Sequence, residues 1–120
     1  MSAKIMCVDD SPTIRMLVKQ NLGPQGFDII EASNGQEGLD KLSSDIGLFL
    51  VDVNMPVMNG FDFVKSLKAD SSYSSKPVVF LTTESGVEKK SVGKELGVNG
   101  WIVKPFEPES LVKIVTMLTK

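Results

Sequence analysis

Five side chains stand out for the chemistry they could do together: the carboxylates Asp9, Asp10 and Asp52, the hydroxyl of Thr82 and the ammonium of Lys104. Each ends or follows an apolar run. Ile5-Met6-Cys7-Val8 leads into Asp9-Asp10, Leu48-Phe49-Leu50-Val51 into Asp52, Val78-Val79-Phe80-Leu81 into Thr82, and Trp101-Ile102-Val103 into Lys104. Such runs read as buried strands of a parallel sheet. Polar groups at their C-terminal ends lie where open α/β sheets take their ligands. Three carboxylates, a hydroxyl and an ammonium on one sheet edge suit a divalent metal ion beside a phosphoryl group. A carboxylate can itself attack phosphorus and form an acyl phosphate. Two carboxylates about 4 Å apart repel by roughly 4 kcal/mol at an effective dielectric of about 20. The cluster therefore calls for a cation or for raised carboxyl pKa values. With no histidine in the chain, any metal must be held by oxygen or by Cys7, and a histidine general base is excluded.

The elements that must position these groups alternate along the chain. Strand 1 covers residues 4–9. Ser11 reads as an N-cap with Pro12 at the first helical position. Ile14, Leu17, Val18 and Leu22 then form one helix face, and Gly23-Pro24 stops it. Phe27, Ile29 and Ile30 make a short second strand. Asn34-Gly35 could form a hairpin turn, but Leu39, Leu42 and Ile46 continue at helical spacing and favour a second helix. The run ending in Asp52 is strand 3, and residues 55–60 form a turn-rich loop. Phe63, Val64 and Leu67 mark a third helix, and residues 71–75 a polar connector. Strand 4 precedes a helix over 85–96. Its Gly86 and Gly93 each cost about 1 kcal/mol relative to alanine, so it should be among the least rigid elements. Gly97 and Gly100 flank strand 5. The last helix starts at Pro108 and carries Leu111, Ile114, Val115 and Leu118. Five βα units predict a doubly wound parallel sheet with helices on both faces and right-handed crossovers. If the strand order is 2-1-3-4-5, Asp9, Asp10 and Asp52 would face one another across the topological switch point.

The bulk properties narrow the class. A chain of 120 residues makes one domain, spanning 1–120, with no output domain expected. A net charge of -2 gives no reason to expect nucleic-acid binding. No apolar stretch approaches the ~20 residues needed to cross a bilayer, and Asp9-Asp10 interrupt any signal-peptide core. A cytoplasmic protein with no membrane partner is expected. Cys7 is the sole cysteine, so no internal disulfide can form; mid-strand, it reads as a small core residue.

Four pieces in order carry a family resemblance: Val8-Asp9-Asp10-Ser11, the run from Val51 through Asp52, Asn54, Met55 and Pro56 to Gly60, Leu81-Thr82-Thr83-Glu84, and Val103-Lys104-Pro105-Phe106. Across essentially the whole chain the sequence resembles response-regulator receiver domains, most of all the single-domain chemotaxis type. The resemblance implies a flavodoxin-like (βα)5 fold and a phosphorylation-dependent switch rather than an enzyme with a turnover substrate. It implies that Asp52 accepts a phosphoryl group from a histidine kinase. Mg²⁺, with Mn²⁺ substituting, would be held by Asp10, Asp52 and the main-chain carbonyl of Asn54, with Asp9 acting mainly through a water. Lys104 would pair with the phosphoryl oxygens, and with Asp52 beforehand; the Lys104–Pro105 bond would be cis. Thr82 and Trp101 would move as the switch. Trp101 stands where tyrosine or phenylalanine is usual, and an indole needs a partner for its N–H when buried. Asn54, Thr83 and Glu84 would tune hydrolysis. Thr83 is bulkier than the alanine or glycine common there. Lys89, Lys90 and Lys94, with Trp101 and Lys113, would border a partner face. The implied partners are the kinase, a downstream target such as the flagellar motor switch, and a phosphatase, with the protein a monomer.

Other readings are weaker on the residues. A phosphorelay intermediate differs only in its partner. A flavodoxin-like FMN electron carrier needs a Ser/Thr/Gly loop after strand 1, where Asp9-Asp10 would repel the flavin phosphate. An aspartyl phosphatase usually carries a second acid two residues after its nucleophile, and that position is Asn54.

Overall fold

The computed structural model describes residues 4–83 and 94–119. Five parallel strands, Lys4–Val8 (β1), Asp28–Ala32 (β2), Ile46–Asp52 (β3), Val78–Thr82 (β4) and Gly100–Val103 (β5), form one sheet in the order β2-β1-β3-β4-β5. Parallel registers such as Val8↔Val51, Asp52↔Leu81 and Thr82↔Val103 bring the carboxyl ends of β1, β3, β4 and β5 to one edge. This is the flavodoxin-like arrangement, with its switch point between β1 and β3.

Side chains alternate across the sheet and build two cores. Met6, Val8, Phe49, Val51 and Phe80 pack on one face with Phe63, Val64 and Leu67 of helix Gly60–Ala69 (α3) and Leu39 of helix Gly35–Asp40 (α2). Ile5, Cys7, Leu48, Leu50 and Leu81 pack on the other with Val18 and Leu22 of helix Pro12–Leu22 (α1) and with Leu111 and Val115 of the C-terminal helix, Pro108–Thr119. Strands buried on both faces are why their sequences read as continuous apolar runs. Among the described residues no helix is long and apolar enough to cross a membrane.

Local chemistry sets the boundaries. The Ser11 side chain accepts from the Ile14 N–H with Pro12 in the first turn, as its sequence predicts. Gly23–Gln25 tightens into a 3₁₀ turn that ends at Gly26 with φ 96. The expected helix through Leu42 to Ile46 is corrected: α2 stops at Asp40, and Ile46 opens β3, opposite Lys4. The Lys41 N–H bonds back to Glu37 and Gly38, Leu42 lies in the connection, and the Ile46 side chain is fully buried beneath β3. Leu17 lies at the edge of the expected α1 face and is 37% exposed. Gly100 begins β5 rather than flanking it. Most of the helix expected over 85–96 lies outside the described residues; 94–96 are helical.

Candidate functional site

The strand ends assemble the cluster that the sequence suggests. Asp9 follows β1 and is fully buried, whereas Asp10 is exposed. Asp52 is the last residue of β3 and only 5% exposed, and Thr82 is the buried last residue of β4. Lys104 follows β5, its N–H donating to the Thr82 carbonyl at 2.7 Å, and the Lys104–Pro105 peptide is cis. Its Nζ donates to Asp9 Oδ2 at 3.0 Å and to Asp52 Oδ1 at 3.2 Å. One ammonium thus bridges two carboxylates across the switch point.

The charge balance is uneven. Burial, and then the charge of Asp9, push the Asp52 carboxyl up to about 6, while Lys104 pulls it back. Burial would lower the Lys104 pKa, but its bonds to Asp9 and then the charge and bond of Asp52 hold it above the ordinary lysine value. Oxygens of Asp9, Asp10 and Asp52 lie within 4.8 Å of one another. An all-oxygen set with one exposed member fits a small, hard, water-retaining divalent ion such as Mg²⁺. Cys7 does not join it: the thiol is buried in β1, and desolvation drives its pKa far up, so it packs as a small apolar residue.

The loop after β3 shapes the mouth. Asn54 is exposed two residues past Asp52. The Met58 N–H donates to the Pro56 carbonyl at 2.7 Å, closing a γ-turn on Val57, whose φ is 69 and whose side chain is 82% exposed. A β-branched residue in that region is strained. The turn is clamped on both sides. The Gly35 N–H donates to Met58 O at 3.2 Å and the Gly60 N–H to Val53 O at 2.9 Å. A Cβ on Gly60 would run into the main-chain oxygen of Asp52. Asn59 caps α3 by accepting from the Asp62 N–H at 2.9 Å.

Trp101 lies half-buried against Phe80, ring centroids 5.1 Å apart, and Phe80 meets Phe61 edge-on at 5.3 Å. Thr83 is exposed beside Thr82, and Lys94 and Lys113 are both exposed. Glu84, Lys89 and Lys90 lie outside the described residues. One participant escaped the sequence reading. Arg15 on α1 donates from Nη1 to the Asp9 carbonyl at 2.5 Å and from Nε to Glu31 at 3.3 Å. Its signal was present as a cation one turn into the helix that follows the acid pair, but its acceptor is a main-chain atom.

A doubly wound sheet with an acidic pocket and a bridging lysine at its carboxyl edge is the architecture of a signalling receiver. The pattern of the family described as "Response regulator receiver domain" matches residues 5–116, and the chain belongs to that family. It is the receiver domain of a two-component response regulator, a signalling switch. The chemotaxis protein CheY1 of Helicobacter pylori is 40% identical over 111 residues, covering 90% of each chain. A chemotaxis protein CheY homolog of Campylobacter jejuni is also 40% identical over 111 residues, covering 90% of this chain and 85% of its own. The solved structure of chemotaxis protein CheY4 of Vibrio cholerae superposes with a TM-score of 0.93 at 43% identity, covering 98% of this chain and 99% of the other. Receiver domains bind Mg²⁺ at their acidic pocket.

Proposed function

We propose that Asp52 accepts a phosphoryl group from a phosphohistidine of a histidine kinase. A carboxylate oxygen of Asp52 attacks phosphorus in line, the P–N bond breaks, and the imidazole leaves with the electron pair. Asp10, Asp52 and the Asn54 carbonyl would hold Mg²⁺ with Asp9 behind them, and the bound ion supplies positive charge to the phosphoryl oxygens. Lys104 transfers from its carboxylate partners to the phosphoryl group, where a mobile point charge with rotatable donors is well suited. The observation that carries this reading is the Lys104 bridge: an ammonium already stands against Asp52 Oδ1 at 3.2 Å, on the group where charge would gather.

The Thr82 hydroxyl then bonds the new phosphoryl group and Trp101 moves inward against Phe80, shifting a two-state equilibrium. Asn54, Thr83 and Glu84 set the rate at which water hydrolyses the acyl phosphate, alone or with a phosphatase. The domain thus assists its own phosphorylation and dephosphorylation. Similarity to chemotaxis proteins favours a cytoplasmic role with the flagellar motor switch as target, met by a face that includes Lys89, Lys90, Lys94, Trp101 and Lys113.

Incubation with acetyl phosphate and Mg²⁺, followed by rapid-quench mass spectrometry, tests the first step. The expected product is an adduct of about 80 Da, one phosphoryl group, mapping to Asp52 and missing in Asp52→Asn. No adduct, or one on another residue, refutes the assignment. Binding of a motor-switch peptide that strengthens with beryllofluoride supports the target; binding indifferent to it argues for another phosphorelay.

A further inference from the structure

We infer that Arg15 is a positioning residue for the acidic site: its guanidinium fixes the Asp9–Asp10 corner from which Asp10, one of the proposed metal ligands, projects. The inference rests on the Mg²⁺ reading above and adds a residue outside the proposed ligand set.

The corner needs an external hold. The Asp9 N–H continues the ladder to β2, donating to Ala32 O at 3.0 Å. Beyond it the chain leaves the sheet and turns into α1, and among the described residues the Asp9 carbonyl has no strand partner. Arg15 supplies one. Its Nη1 lies 2.5 Å from that oxygen, and its Nε is anchored on Glu31 of β2, with the side chain only 17% exposed. The contacts close a ring: Ser11 N–H donates to Asp9 Oδ1 at 2.9 Å, Arg15 N–H donates to Ser11 O at 3.1 Å, and the Arg15 side chain returns to Asp9 O. The Asp9 carbonyl and the Asp10 nitrogen share one rigid peptide plane. Holding the oxygen therefore sets the direction in which Asp10 leaves the strand. Glu31 is held in turn, since Lys41 Nζ donates to its main-chain oxygen at 2.7 Å.

The residue type fits this task better than a stabilising one. The Arg15–Glu31 pair is half-exposed at Glu31, and such pairs contribute little. The planar fork, however, holds two acceptors in a relation fixed by its own geometry, whereas an ammonium is a point charge with rotatable donors. Electrostatics and positioning also predict opposite signs. Arg15 is a cation bonded to the Asp9 main chain beside the acid cluster, so removing its charge alone would tighten binding of another cation. Removing a positioning group would weaken it.

The test uses the full chain with Arg15→Met and Arg15→Lys. Mg²⁺ affinity is read by Trp101 fluorescence and by calorimetry, and amide exchange of Asp10 and Ser11 is measured in EDTA. Arg15→Met should weaken Mg²⁺ binding about tenfold, the scale of outer-shell metal-site partners, and speed exchange of both amides without metal. Arg15→Lys, which keeps the charge but replaces the planar fork by a point charge with rotatable donors, should fall between and serves alone if the methionine variant does not fold. Unchanged or tighter Mg²⁺ binding in a folded variant overturns the inference, even if its melting temperature drops. If wild type binds no Mg²⁺, the metal reading fails, and equal amide protection in wild type and variants would overturn the positioning role separately.

Discussion

Replacing Asp52 by asparagine removes a charge that this fold holds at a cost. The side chain is 5% exposed, and burial followed by the charge of Asp9 lifts its carboxyl from 3.8 to about 6. Each pKa unit corresponds to about 1.4 kcal/mol, so ionised Asp52 costs the metal-free fold about 3 kcal/mol relative to the unfolded chain. The native state holds its proton to higher pH than the unfolded state does. The stability this provides is fully present below 3.8, declines as pH rises, and is gone above about 6. An amide neither ionises nor repels Asp9, and Lys104 keeps Asp9 as a partner at 3.0 Å. Asp52→Asn should therefore stabilise the metal-free protein by about 3 kcal/mol near pH 7.5 but only about 1 kcal/mol near pH 4.5. At roughly 4 °C per kcal/mol for a domain of this size, the neutral-pH gain is about 12 °C in Tm. Urea unfolding in EDTA at both pH values, followed by far-UV dichroism, measures it. Saturating Mg²⁺ should narrow the gap, because the proposed ligand set is complete only in wild type. A variant no more stable than wild type at neutral pH, or a gain that grows on acidification, would refute the electrostatic account.

Three further substitutions probe the surroundings. Lys104→Met strands buried Asp9 without its cation and should cost about 3 kcal/mol in EDTA, much of it restored by Mg²⁺; urea midpoints with and without the ion decide. Val57→Gly relieves strain of about 1–3 kcal/mol at φ 69 and introduces a glycine entropy cost of about 1 kcal/mol. A net gain near 1 kcal/mol is expected, and a loss on denaturation would show that the turn is unstrained. Gly60→Ala forces the new Cβ against the Asp52 carbonyl and should destabilise by about 2 kcal/mol while weakening Mg²⁺ binding, both readable in one Trp101 fluorescence series.

The strand ends were legible because a parallel sheet covered on both faces leaves no alternation to decode. The apolar run simply stops where the polar edge begins, as at Val51-Asp52 and Leu81-Thr82. Ser11-Pro12 marked α1 for an equally local reason. Ile46 misled because isolated apolar positions at helical spacing are also produced by a short helix, a connection and the start of a strand; its pairing with β1 is tertiary information. The strand order came from family resemblance, since periodicity does not rank neighbours. Pro56, Asn59 and Gly60 announced a turn, but nothing about a valine announces φ 69. Arg15 was hidden because its acceptors are a main-chain oxygen and a residue 16 positions away on β2.

The Lys104 bridge has a cost in time. Lys104 lies 95 residues beyond Asp9 and 52 beyond Asp52. At about 5–20 residues per second of translation, the acid pair waits roughly 5–20 s for its counter-charge to leave the ribosome. Until then the nascent sheet carries mutually repelling carboxylates at its growing edge, which disfavours premature closure of β1 against β3. The strand that completes the sheet also neutralises it, so the proposed phosphoryl chemistry would become available only after β5 has joined.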